Sequence, residues 1–246
     1  GHATRGDIHN HDEGEEFGKV EITLRALQKY GNELLPTLID SLSDPGVAVR
    51  QVAMRLLWEM DTDDESVLPA MIMALEDSNK SVRHGAAGFV TRFGERAKAA
   101  IPILQSWIDS GDELSHVMAA GSILVIDPTK TDELLSVLID ALESEDDGIK
   151  MEACWQLERL GGMANDSVPA LSRLLDDHST VSMPATNAIH RITGDPTDVI
   201  NLGLNLLDHE EWLQRCVGAE HLRMLGAKAL LAVPRLQWAA LDDENN

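Results

Sequence analysis

The chain repeats itself every 32 to 34 residues, and this period constrains its fold more tightly than any other feature of the sequence. The segments LLPTLIDSL (34–42), VLPAMIMAL (67–75), AIPILQSWI (100–108), LLSVLIDAL (134–142), SVPALSRLL (167–175), INLGLNLL (200–207) and AVPRLQWAA (232–240) are copies of one pattern. Anchored on Pro36, Pro69, Pro102, Ser136, Pro169, Asn201 and Pro234, successive copies lie 33, 33, 34, 33, 32 and 33 residues apart.

Within each copy the apolar residues recur twice at helical spacing, separated by a short acidic or glycine-bearing break, so each copy is a helical hairpin. The first helix carries proline near its start, where the missing N–H costs nothing, and buries Leu35, Leu38, Ile39 and Leu42 in copy one. The second helix is expected to bury Val49, Val52, Ala53, Leu56, Leu57 and Met60 in copy one, and Val82, Gly85, Ala86, Phe89, Val90 and Phe93 in copy two. Gly94, Gly161, Gly194 and Gly226 end four of these helices as left-handed caps, with Asp61 and Asp127 in the same place elsewhere. A small residue marks the close approach of the paired helices: Ala53, Ala86, Ala119, Ala153, Thr186 and Gly218.

The domain organisation that follows is a polar N-terminal tail (1–16), a single solenoid (17–241) and an acidic C-terminal tail (242–246). Residues 20–31 read as a lone second helix and residues 234–241 as a lone first helix, each capping the array. One hairpin cannot bury its own apolar face, whereas stacked neighbours share a continuous core. The expectation is therefore an all-α superhelix, with first helices on the convex side and second helices lining the concave side.

Two stretches carry a family resemblance: Asp44-Pro45-Gly46-Val47-Ala48-Val49-Arg50, and Asp77-Ser78-Asn79-Lys80-Ser81-Val82-Arg83 followed by an alanine-rich helix. An acidic turn followed by Val-Arg resembles the HEAT-repeat family, in particular the short bacterial HEAT-like repeats of phycobilisome lyases. The resemblance implies an aspartate–arginine ladder along the stack, carried here by Asp44 with Arg50 and Asp77 with Arg83, and extended to Lys150 and Arg215. His116 and Met183 replace the base in copies three and five and break the ladder there.

Composition narrows the function. Acids outnumber bases 42 to 20, a formal charge of −22, so phosphate backbones and anionic lipid are poor partners and neither nucleic acid nor membrane is expected. No run of 18 apolar residues and no export signal is visible, which favours the cytoplasm, and a monomer is expected. Cys154 and Cys216 sit two repeats apart, about 20 Å at the spacing of packed helices, and are expected as free thiols. The acidic loop 61–65 lacks the spacing of a calcium loop, and His9, His11, Asp12 and Glu13 read as a solvated tail, so no metal or cofactor is expected.

Nucleotide-binding, hydrolase and zinc-protease motifs are absent. HEAT-like deoxyhypusine hydroxylases need several His-Glu pairs, and this chain holds only His209-Glu210. The HEAT-like DNA glycosylases need a basic groove, which the charge opposes.

The remaining positions are those where second helices face the concave side. Fifteen residues past the anchor these are Gln51, His84, Val117, Met151, Pro184 and Cys216; nineteen past it, Arg55, Gly88, Gly121, Trp155, Ala188 and Glu220. Twenty-two past it they are Trp58, Thr91, Leu124, Glu158, Arg191 and Arg223. The candidate partner-binding residues are Met54, Arg55, Trp58, His84, Met151, Trp155, Glu158, Arg191, Glu220 and Arg223, with Trp155 standing beside the shallow spaces over Gly121 and Ala188. The reading is a non-enzymatic scaffold that binds a protein or peptide on its concave face. The alternative is a bilin-lyase-like or other enzyme-associated factor using the same cavity.

Overall fold

The computed structural model describes residues 31–110, 112–175, 180–209, 212–225 and 229. These residues are helical without a strand among them, and the helices come in pairs. They are α1 (Leu35–Ser41) with α2 (Val47–Glu59), α3 (Leu68–Ala74) with α4 (Lys80–Val90), and α5 (Ile101–Ser110) with α6 (Glu113–Ile126). There follow α7 (Thr131–Ala141) with α8 (Asp147–Leu160), α9 (Val168–Arg173) with α10 (Ser182–Thr193), and α11 (Thr197–Leu207) with α12 (Trp212–Leu225). No helix among the described residues is long and apolar enough to cross a membrane.

Local chemistry sets the boundaries. Proline occupies the first turn of α1, α3 and α9, where no backbone hydrogen bond is lost. Asn79, Asp112 and Asp146 cap α4, α6 and α8 by accepting from the backbone N–H of Val82, Ser115 and Gly148. Gly94, Gly161, Gly194 and Asp61 all take positive φ at the ends of second helices; Gly194 is the expected left-handed cap, whereas Gly94 and Gly161 sit at ψ −133° and −135°, backbone that glycine alone enters readily. Asp127 does not, at φ −136°, because the following Pro128 holds it in extended backbone. Gly226 lies outside the described residues. Pro184 falls in the first turn of α10, so that helix starts late, at Ser182, and runs on to Thr193.

The chain forms two compact units, residues 1–100 and 101–246. In the first, α1 packs on α2, α3 on α4, and the second helices α2 and α4 on each other. In the second unit the second helices again stack, α6 on α8 and α8 on α10, with first helices packed against them and α11 paired closely with α12. The small-residue position is buried throughout: Ala53, Ala86, Ala119, Ala153, Thr186 and Gly218. Cys154 is buried and its thiol is pushed up to about 12 by that burial, while Cys216 is exposed; both are free.

Copy two buries the side chains its spacing predicts, among them Val82, Ala86, Phe89, Val90 and Phe93. Copy one does so only in part. Ala53 and Leu57 are buried as expected, but Val49 and Val52 are 43% and 45% exposed, Leu56 and Met60 are half-buried, and Arg50 and Met54 join the buried stripe of α2. Val49 and Val52 correspond to Val82 and Gly85, which face the preceding second helix: a Cβ on Gly85 would stand 2.8 Å from Met54 Cγ. In copy one that side of α2 has no described neighbour.

The ladder connects differently from the expected pairing. Arg50 donates from Nε to Asp77 Oδ2 at 2.6 Å and from Nη2 to Asp77 Oδ1 at 2.8 Å, a bidentate bridge into the next copy. Within its own copy it reaches main chain only, Nη1 to the Asp44 carbonyl at 2.8 Å, while the Asp44 carboxylate accepts from the Gly46 N–H. Arg83 and Arg215 repeat this, donating to the carbonyls of Asp77 and His209 six residues back. Lys150 reaches Asp147 on its own helix, at 3.4 Å, and Asp177, which would complete its rung, lies outside the described residues.

The Arg50 guanidinium holds the Asp77 carboxyl below the usual carboxylate range. A lowered folded pKa stabilises above the unfolded value near 4 and is lost as pH falls through the folded value. Asp77→Asn is therefore expected to lower the thermal midpoint at pH 7 by roughly 3–6 °C, against little change for Asp44→Asn, with the difference vanishing in acid. Gly218→Ala tests the helix approach in the second unit: its Cβ would lie 2.7 Å from the Gly203 carbonyl oxygen, which is backbone and yields little. A loss of about 1–3 kcal/mol in denaturant unfolding is expected.

Candidate functional site

A groove opens between α2 and α4, with a volume of about 320 Å³. Gln51, Met54, Arg55 and Trp58 line it from α2, and Ser81, Val82 and Gly85 from α4. Gly85 keeps the floor open, since any larger residue would strike Met54. Met54 is itself only 5% exposed, so it forms the floor and is not an exposed contact as the sequence suggested.

Trp58 forms the wall and is 38% exposed. Its indole N–H donates to the Gly85 carbonyl at 3.3 Å, and its ring meets Phe89 edge-on at 5.4 Å and 83°. The Arg92 guanidinium lies over the same ring at 4.5 Å, paired in turn with Asp61. The space over Gly88 is filled by Trp58, 3.1 Å from where a Cβ would stand. The indole therefore seals the inter-repeat seam on one side and offers surface on the other. Asp61 and Glu65, read from sequence as a solvated loop, pair with Arg92 and Arg96.

Arg55 stands at the rim, exposed and without an ion pair or hydrogen-bond partner among the described residues. His84 is half-buried on α4 and does not line the groove.

In the second unit Trp155 is 46% exposed and Met151 is half-buried. Burial raises the Glu158 carboxyl above its ordinary range, and the charge of the exposed Arg191 draws it back. Arg223 is exposed, and the Glu220 side chain lies outside the described residues. The space over Gly121 belongs to Gln156, not Trp155: a Cβ there would fall 2.2 Å from Gln156 Oε1. Gln156 is 2% exposed, donates to Glu152 at 2.5 Å and accepts from Arg159 at 3.2 Å. This polar stripe at i, i+4 and i+7 escaped the sequence reading. Its one visible signal was glycine at 121, with glutamine at 156 in the following copy.

The geometry can be set beside known proteins. Residues 35–120 match the family model for HEAT repeats. No curated protein sequence matches the chain. Among solved structures, the complex of CpcE and CpcF of phycocyanin lyase from Nostoc sp. PCC7120 is similar at a TM-score of 0.52 and 20% identity, over 75% of this chain and 74% of that one. An engineered protein gives 0.45 and 15%, over 81% and 96%. Residues 35–120 are thus similar to HEAT repeats, and the helical-hairpin pattern of that segment continues through the remaining described residues.

Proposed function

We propose that this protein is a non-enzymatic interaction scaffold that binds a protein or peptide along the face lined by its second helices. The observation that carries the reading is the groove between α2 and α4, with its thioether floor, indole wall and exposed arginine rim. Tryptophan and arginine around a desolvated pocket are the residues that most often dominate interface energetics. The lining contributes amide, hydroxyl, guanidinium and apolar groups but no carboxylate or imidazole to move a proton. Trp155 with Met151 and Arg191 supplies further contact surface in the second unit.

The test is affinity capture from the source cell with the intact chain and its variants. Arg55→Glu leaves every described contact in place and is expected to weaken the captured complex about 30-fold, near 2 kcal/mol. Trp58→Ala should do the same, with circular dichroism checking that the stack survives. Equal capture by wild type and both variants, together with loss in Trp155→Ala/Arg191→Glu, would move the binding face to the second unit. Stoichiometric iron or zinc in the purified protein would overturn the non-enzymatic reading.

A further inference from the structure

Val49 and Val52, on the side of α2 turned away from α4, are 43% and 45% exposed, whereas Val82, in the place of Val49 one copy on, is 1% exposed. The preceding second helix lies against that side of α4, where Met54 Cγ comes within 2.8 Å of the position a Gly85 Cβ would take. Val52 is the counterpart of Gly85, standing nine residues before Asp61 as Gly85 stands nine before Gly94. A residue in the place of Met54, one copy earlier, would therefore cover it.

We propose that residues 20–30, which lie outside the described residues, dock on this face as the second helix of a half-copy, with Leu24 against Val52. Three observations assign this occupant. The first is the backbone at the junction: Gly31 has φ +46°, close to the +47° of Asp61 and the +50° of Gly94, which end the second helices of copies one and two. The second is register, counted back from Gly31. Leu27 falls four before it, as Leu57 and Val90 fall four before their caps, both at 0% exposure. Thr23 falls eight before it, where copies one and two place Ala53 and Ala86 and copy five places the fully buried Thr186. Leu24 falls seven before it, as Met54 falls seven before Asp61.

The third observation is charge. Arg25 and Lys29, with Lys19 just ahead of them, outnumber Glu21, whereas residues 32–65 carry eight acids and two bases. A basic segment in this acidic chain is drawn to the hairpin that follows it. Four residues separate Gly31 from Pro36 of α1, so the docking is intramolecular and closes only a short loop. The docked segment completes the core at this end of the first unit, as terminal repeats of stacked arrays do. The groove at Trp58 lies on the other side of α2, and the inference does not rest on the scaffold reading.

The test is disulfide trapping in the full chain carrying C216S; Cys154 is buried, its thiol pushed up to about 12, and does not compete. L24C/V52C is expected to lose two thiols on mild oxidation and to run as a monomer on a non-reducing gel. K29C/V52C, more than one turn further along the segment, is expected to oxidise at least tenfold more slowly. Equal trapping of the two pairs means a segment that samples the face without docking, and overturns the proposal. A disulfide-linked dimer gives the face to a second copy and overturns it as well. V49T/V52T needs no oxidation: covered valines predict a thermal midpoint lower by roughly 5 °C or more, with the helical circular-dichroism spectrum kept. An unchanged midpoint is the result for valines in solvent and sinks the assignment.

Discussion

A two-helix hairpin has more apolar surface than it can cover, and this shortage governs the rest of the molecule. Each copy completes its core only when the next second helix comes close, which requires a small residue at one recurring position and an aliphatic one beside it. Leu57, Val90, Ile123, Leu157 and Leu222, one per copy, are all 1% exposed or less. Copy one shows the converse. The valines of α2 that face away from α4 are 43% and 45% exposed, whereas Val82, in the place of Val49 in copy two, is 1% exposed. Burial at a given repeat position is therefore decided by the neighbour rather than by the residue.

The departures from that rule are polar intrusions into stacked seams. His190 stands in the aliphatic position just described, with Nδ1 buried and unbonded. Gln156 crosses the α6–α8 seam over Gly121 and gathers Glu152 and Arg159 into a hydrogen-bonded line, with the Glu152 carboxyl raised by burial. An aliphatic residue at 156 would satisfy the core without partners. The polar choice goes with glycine opposite and two charged residues alongside.

The hairpin repeat, its caps and its small-residue approach were legible because each is written in spacings of one to four residues along a single helix. What lay between copies was less so. The ladder was assigned within a copy, Asp44 with Arg50, because sequence spacing reports local neighbours; the observed bridge runs 27 residues onward to Asp77, across the seam. Trp58, Arg55 and Met54 line one groove, yet Met54 is its floor because Gly85, a residue of another helix, admits it. Trp155 and Gln156 differ by one position, about 100° of helix, and periodicity alone did not decide which of them meets Gly121. The resemblance to HEAT repeats supplied the existence of a ladder and not its connectivity.

The charge balance takes on meaning once the pairs are assigned. In the first unit Arg50 is held by Asp77, Arg92 by Asp61 and Arg96 by Glu65, each joining one copy to the next. The last two pairs are exposed, and exposed pairs contribute at most about 1 kcal/mol. Their effect is geometric. Asp61 pairs with the Arg92 guanidinium, which lies over the Trp58 ring at 4.5 Å from its centroid. Arg55, beside that wall, has no such carboxylate among the described residues, although acids exceed bases twofold along the chain. Arg55 is exposed on the rim of the groove, next to an indole covered by another base, and so presents its guanidinium to an acceptor from outside the chain.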